Sequence, residues 1–497
     1  MTQKTRPTPQ EIHDDTRHLR LLKEKMRLGD IDRRGFLSAA GALSGAALLA
    51  GCGGGGPQGP GLPGSGSGVI PLYTVENDPA TLAFYNMAIE NFSSSHEGIK
   101  VEVTVYSDSN QSQYLATAFQ NRVDVGIFSP SVSDFVDFAQ GGHLMELDSL
   151  IQEIGEDDFL PATRIRVGGH DYGMPLQNNA SLVYYRKDLL EKAGLEVPTT
   201  FDQYIGAIEE IGKTGVNGIA MAVGSTPQLP LQFFAPYLYQ SGSDYFDSKG
   251  QLTFDKPEVL GAVEKFVAVM KHAPESLRNA AFGDIVTTYA AGQAAFATFP
   301  GRLGVNLYND YPDIAENTGV MTIPVGDYMT GQLHFGSGQQ YGLYGGTAEP
   351  EAAKDFLKQL TTGDDAVAFA KTVPGHLLPA LKSVRAKFEE EMKATSEGYL
   401  GEKKEWIQTF IDAVPQAMTA STAMGVIENG EFTEKHTNIN PFAQKIWPSP
   451  ALDGVMFQEI LINGRAAEDA WKDCCQKMKK VADEFHSANP DWKPEIV

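Results

Sequence analysis

The chain runs to 497 residues and carries 40 Lys/Arg against 63 Asp/Glu, a formal net charge of −23. That length is more than one hydrophobic core organises and points to two or more domains. The acidity argues against nucleic acid and anionic lipid as partners of the folded part and reads as a solvated surface.

Residues 1–51 read as an export signal and stand outside the fold. Arg33-Arg34-Gly35-Phe36-Leu37 is a twin-arginine pattern. The uncharged stretch after it, Phe36 to Gly51, is shorter than the roughly 20 apolar residues a bilayer span needs. It ends in Leu49-Ala50-Gly51-Cys52, which resembles a bacterial lipobox. That resemblance implies a lipid on Cys52 and a mature chain held at a membrane outside the cytoplasm. Residues 53–68 are nearly all Gly, Pro and Ser, a tether that buries no core and reaches about 20 to 24 Å as a flexible coil.

Beyond the tether, Val69 to Thr74 reads as a strand, and Leu82, Tyr85, Ile89 and Phe92 mark one face of a helix. Val101, Val103 and Val105 alternate as in a strand, Tyr114, Leu115, Ala118 and Phe119 return to helical spacing, and Val123 to Phe128 reads as a short buried strand. Strand and helix alternate, the pattern of a parallel sheet with helices on both faces, whose ligands sit outside the carboxyl ends of the strands. Glu76 and Asn77 follow the first strand; Ser129, Ser131 and Asp134 follow the third. Each is a binding candidate, though Ser, Asn and Asp also serve as caps and turn formers.

The stretch from His170 to Tyr204 organises the rest. Tyr-Gly-Met-Pro leads into polar Gln177, Asn178 and Asn179, then an apolar strand from Leu182 to Tyr185 and a helix from Lys187 to Ala193 that Gly194 ends. Thr200 is placed as the N-cap of the next helix, with Gln203 completing a capping box. Gly218 to Val223 reads as a strand. Phe233, Phe234, Tyr237, Tyr239 and Tyr245 form an aromatic stretch, read chiefly as helix core but with one or two rings able to meet a sugar. Asp247-Ser248-Lys249-Gly250 lacks the further spaced ligands of a calcium loop and reads as a turn. Gly292 to Phe296 reads as a strand followed by Phe299 and Arg302, and Val320 to Val325 as another. Trp447, in a Pro-rich loop, is either a stacking ring or loop packing. Cys474 and Cys475 fall in a helix whose apolar face is Ala467, Trp471, Cys474, Met478, Val481 and Phe485, and are expected to be free, buried thiols.

The order YGMP…YYRKDLLEKAGLEVPTTFDQY resembles a segment of the family 1 extracellular solute-binding proteins of ABC importers, the maltose-binding-protein-like group. Asp124-Val125, Gly142 to Asp148, Gly292-Gln293-Ala294-Ala295-Phe296, Gly336-Ser337-Gly338-Gln339-Gln340, Pro350 to Asp365 and Asn463 to Ala470 follow the same family in order. The resemblance implies an α/β two-lobe periplasmic-binding-protein fold, each lobe a mostly parallel sheet flanked by helices, with three hinge crossings. Residues 69–178 and 326–380 would form the first lobe, and 179–325 with 381–497 the second. It also implies that Gln177, Asn178, Asn179, Phe299, Arg302, Ser337 and Gln339 line a cleft, joining Glu76, Asn77, Ser129, Ser131, Asp134 and Trp447.

The function so implied is capture of a mono- or oligosaccharide by a monomer and delivery to a membrane permease with its ATPase, with no cofactor, metal or enzymatic step. Arg302 stands where some members carry a tryptophan, which leaves an acidic or a multiply hydroxylated ligand open. The alternatives are a binding protein for another polar small molecule, such as a polyol phosphate or a polyamine, and a tethered carbohydrate hydrolase. No carboxylate pair is singled out for the latter, and neither His-Glu-x-x-His nor Gly-x-Ser-x-Gly occurs.

Overall fold

The computed structural model describes residues 68–107, 110–160, 163–224, 228–326, 334–418, 423–428, 431–432, 440–448 and 450–494. The export signal with Cys52 lies outside the described residues, as does the tether before Gly68.

Strand β1 (Val69–Thr74) is buried after its first residue, as its unbroken apolar run requires of a central strand. Strand β2 (Lys100–Val105) exposes both ends and is an edge. Strand β3 (Ile127–Phe128) is shorter than the run from Val123 suggests, and Asp124, just before it, engages backbone N–H groups. Its Oδ1 accepts from the Gly126 N–H at 2.8 Å and its Oδ2 from that of Ala348 at 2.9 Å. Gly126 sits at φ +53°, where an added Cβ would lie 2.3 Å from the Pro71 carbonyl oxygen, so no other residue fits beside β1.

A small hairpin, β4 (Arg166–Val167) and β5 (His170–Asp171), precedes β6 (Gly173–Ala180), and after the single residue Ser181 the chain becomes β7 (Leu182–Arg186) of a different sheet. That sheet adds β8 (Asn217–Ala220), β9 (Ala294–Phe299) and β10 (Thr318–Met321) in the order β10-β7-β9-β8. The chain then returns to the first sheet as β11 (His334–Leu343), which also receives β12 (Leu378–Pro379) and β13 (Ala417–Met418). The order there is β12-β6-β11-β3-β1-β2, with β13 beside β11.

Neither sheet is mostly parallel. β1 runs parallel to β2 and β3, but β6, β11 and β12 pair antiparallel, and in the smaller sheet only β8 and β9 are parallel. The reversed strands are those next to a passage between sheets: β6 leaves where β11 returns, so the two run head to tail. Apolar alternation carries no direction, and the sequence does not distinguish the cases.

Local signals are met closely. Gly194 closes the helix Lys187–Ala193 in the left-handed region at φ +68°. Thr200 and Gln203 form the full capping box of the helix Phe201–Gly212. Asp247 Oδ1 accepts from the Lys249 and Gln251 N–H groups at 2.9 and 2.8 Å, a turn as expected.

All five rings of the stretch from Phe233 to Tyr245 are buried. They sit on or beside the helices Gln228–Phe233 and Ala235–Gln240; Phe234 alone has the rings of Tyr245, Phe254, Phe266 and Phe457 within 6.4 Å. Their rings pack in the core. The helix Ala467–Ala488 buries Trp471, Cys474 and Met478 as expected; both thiols are free, and burial pushes the Cys475 thiol up to about 12 and that of Cys474 well above its usual range. No helix among the described residues is long and apolar enough to cross a membrane.

Candidate functional site

β1 and β3 are parallel and end at the same edge of the larger sheet, where ligands of such sheets gather. Glu76 follows β1 and Ser129 follows β3. β11 lies between β3 and β6, and its register sets Gln339 opposite Gln177, Gly338 opposite Asn178 and Ser337 opposite Asn179. A local irregularity after Gln339 breaks the ladder.

Four of these side chains join in a line. Gln177 donates through Nε2 to Glu76 Oε1 at 3.1 Å and to Gln339 Oε1, and the Nε2 of Gln339 donates to Ser129 Oγ. Beneath them, Thr74 Oγ1 accepts from the Glu76 N–H at 3.1 Å and bonds Tyr341 Oη at 2.8 Å, which lies 3.1 Å from Tyr85 Oη. Both tyrosines are fully buried, and burial pushes their hydroxyls above the usual range, so they stay protonated.

Glu76 is 2 % exposed, and a carboxylate so enclosed needs a partner. Arg302 supplies it from the four-stranded side. It opens the helix Arg302–Asp310 just after β9; its Nη2 donates to Glu76 Oε2 and its Nη1 lies 2.8 Å from Asp78 Oδ2. Next to it the backbones of Gly301 and Gly375 touch: a Cβ on Gly301 would lie 2.3 Å from the carbonyl carbon and oxygen of Gly375. His376 follows, held neutral because burial, then the charge of Arg302, lower its pKa well below the usual value.

A second bridge runs through Asp134. Ser131 caps the helix Val132–Gln140, its Oγ accepting from the Asp134 N–H at 3.2 Å and donating to Asp134 Oδ2 at 2.5 Å. Ser112 donates to the same oxygen, and Gln444 Nε2 donates to Asp134 Oδ1 at 2.5 Å. The cap and the candidate contact residue are therefore the same residues, and their oxygens are already engaged.

The structure thus gathers Glu76, Ser129, Gln177, Gln339 and Arg302, and sets Ser131 and Asp134 in a neighbouring network. Asn178 and Asn179 are buried on β6, Asn77 is exposed, and Ser337 is placed by its backbone, its side chain lying outside the described residues. Phe299 and Trp447 make other contacts. Phe299 is buried, its ring 6.4 Å from that of Phe282. Trp447 is 1 % exposed; its Nε1 donates to Asp453 Oδ2 at 3.1 Å and its ring meets the ring of Tyr245 at 5.1 Å, nearly perpendicular. On that side it packs its loop against the aromatic core.

Asp78 and Gln444 are absent from the sequence reading. Asp78 precedes Pro79 at a helix start and reads as a cap. In the structure its side chain makes no cap bond and turns to Arg302.

Several buried polar atoms lack a partner along the same strands: Gln177 Oε1, Ser181 Oγ and both ring nitrogens of His334. Burial lowers the His334 pKa to about 4, so the ring is neutral at ordinary pH. Unpaired buried groups of this kind mark places where a ligand or water supplies the missing bond.

Elsewhere Glu146, Asp148 and His170 bring ligand atoms within 4.8 Å of one another. His170 Nδ1 lies 3.1 Å from Asp148 Oδ2, and Tyr172 Oη donates to Glu146 at 3.3 Å, so the group is partnered at the surface.

Residues 77–366 match the family described as bacterial extracellular solute-binding protein; with more than half its length matched, the chain belongs to that family. The paired sheets are its two-lobe fold: maltose-bound MalE3 of T. maritima has a TM-score of 0.68 to this chain at 22% identity, covering 83% of this chain and 99% of that one. The arabinooligosaccharide-binding protein of Halalkalibacterium halodurans is 30% identical over 138 residues, 27% of this chain and 30% of the relative. The mannitol-binding protein of Pseudomonas aeruginosa is 23% identical over 218 residues, 41% of this chain and 49% of the relative. The chain spans about half the length of the curated relatives it matches.

Proposed function

We propose that this chain captures a sugar between its two lobes and delivers it to the permease of an ABC importer, itself performing no catalysis. The observation that carries the reading is the line Ser129, Gln339, Gln177 and Glu76 at the strand ends of one sheet, closed from the other sheet by Arg302. Such a row of amides, hydroxyl and carboxylate matches the alternating donors and acceptors of a polyol, and Gln177 Oε1 still lacks a donor. The relatives support it: they include an arabinooligosaccharide-binding protein, a mannitol-binding protein and a maltose-bound MalE3.

Residues 69–178 with 326–380 form the first lobe of this reading, and 179–325 with 381–497 the second. The passage at Ser181 and the return between Met321 and His334 support the division, whereas within 381–497 the strand β13 pairs with β11 of the first sheet. Cys52, lipidated after export by a twin-arginine signal, anchors the monomer outside the cytoplasm. Ligand contacts made only with the lobes closed shift the population toward the form the permease accepts.

Thermal unfolding of the purified full-length chain against sugars, alditols, polyamines and amino acids tests the reading. A ligand at 100 times its Kd adds about 2.7 kcal/mol and, for lobes of roughly 200 residues, raises the midpoint by about 5 to 10 °C. A shift with carbohydrates, recovered intact, is expected. A shift with polyamines alone, or recovery of a cleaved sugar, sinks it.

A further inference from the structure

Resting on the sugar-capture reading, the arrangement around Arg302 goes further and addresses the charge of the ligand. An arginine in a binding cleft ordinarily invites a carboxylate or phosphate, since its fork matches both. Here the fork is occupied. Nη2 donates to Glu76, and Nη1 lies 2.8 Å from Asp78 Oδ2 as an ion pair without hydrogen-bond geometry; both carboxylates are on the same loop after β1. Glu76 is fixed further by Gln177 and by its own backbone bond to Thr74, so it is not a partner that swings away. The trio carries one negative charge in excess. His376, neutral beside it, adds no compensating cation, and the remaining members of the line are amides and a hydroxyl.

We propose that the site selects uncharged sugars and alditols and rejects their acidic counterparts, because Glu76 and Asp78 consume the charge of Arg302. A uronate or sugar phosphate entering beside Gln177 meets the rim of a net-negative group and gains Arg302 only by displacing a carboxylate that then stays buried. Like charges brought together in an enclosed site cost several powers of ten in selectivity rather than a small factor. The expected discrimination is at least about 100-fold in Kd.

Isothermal titration of the full chain tests this with matched probes: each neutral sugar or alditol that binds is paired with its own uronate, aldonate or phosphate ester. Wild type is expected to bind the neutral member and to bind the anionic member at least about 100-fold more weakly. The double variant Glu76→Gln, Asp78→Asn frees Arg302 and narrows that ratio by about tenfold or more. Arg302→Gln acts oppositely, leaving two unopposed carboxylates, and widens it. Circular dichroism and the unfolding midpoint of each variant confirm folding, and Arg302→Gln supplies a readout should the double variant fail to fold. An anionic member bound as tightly as its neutral partner by wild type overturns the proposal while leaving sugar capture intact, as does a ratio unmoved in both variants. Absence of binding to carbohydrate of either charge overturns both readings at once.

Discussion

Glu76 and Asp453 are both sealed from solvent, at 2 % and 0 % exposure, but their company differs. Glu76 lies at the end of a parallel strand and is neutralised by a cation from the other sheet. Asp453 lies among rings, held by neutral donors: Tyr245 Oη at 2.7 Å, Trp447 Nε1 at 3.1 Å and the Gly454 N–H at 2.9 Å. Burial raises its pKa to about 6 against those bonds. A carboxylate whose partner belongs to a separately anchored element is placed to answer a ligand. One enclosed by aromatics within a single core braces that core.

The sharpest way to break this contrast is Trp447→Ala. It removes a fully buried ring and a donor to Asp453, and is expected to cost about 3 to 5 kcal/mol in chemical denaturation while leaving the discrimination between neutral and anionic ligands unchanged. Altered discrimination would place Trp447 with Glu76 after all.

Gly301→Ala probes the other side. Its Cβ meets backbone that no rotamer change moves aside, so an overpacking cost of about 1 to 3 kcal/mol is expected. Because that contact adjoins Arg302, sugar affinity read by titration falls with it. Lost stability with unaltered affinity would separate the glycine contact from the site.

The remaining test is pH dependence. Asp453 has an ordinary value of 3.8 and a folded value of about 6, so over that interval the folded chain keeps a proton the unfolded chain has released. Its contribution is complete below about pH 4 and is lost as pH rises through about 6. His334 works oppositely, lowered from 6.5 to about 4, its contribution present above 6.5 and lost as pH falls through about 4. Comparing wild type with Asp453→Asn isolates the aspartate: the variant lacks a downward slope of up to about 1.4 kcal/mol per pH unit between pH 4 and 6. Parallel stability curves would show that Asp453 titrates alike in both states.

Legibility in the sequence followed how local each cause is. The capping box at Thr200, the stop at Gly194, β1 and the buried face of the last helix are set by residues within a turn or two of one another, and all were readable. The polar positions after β1, β3 and β9 and along β6 and β11 followed from strand ends and family order, and five of them come together. What was hidden depends on distant partners. Asp78 looks like a cap until Arg302, more than two hundred residues on, claims it. Trp447 and the rings from Phe233 to Tyr245 have the same composition whether they face a sugar or a core, and only the packing of Phe254, Phe266 and Phe457 decides. The antiparallel pairing of β6 with β11 depends on the chain leaving one sheet and coming back.

The passage at Ser181 also has a mechanical side. β6 ends at Ala180 and β7 begins at Leu182, so the two sheets are pinned there by a span of no more than about 7 Å. A tie that short permits swivelling but almost no sliding, and any displacement grows with distance from the pin, as along a lever arm. In the proposed cycle of capture and release, fluorophores beside Ser181 would stay nearly silent, while a pair at the rim would report its whole amplitude.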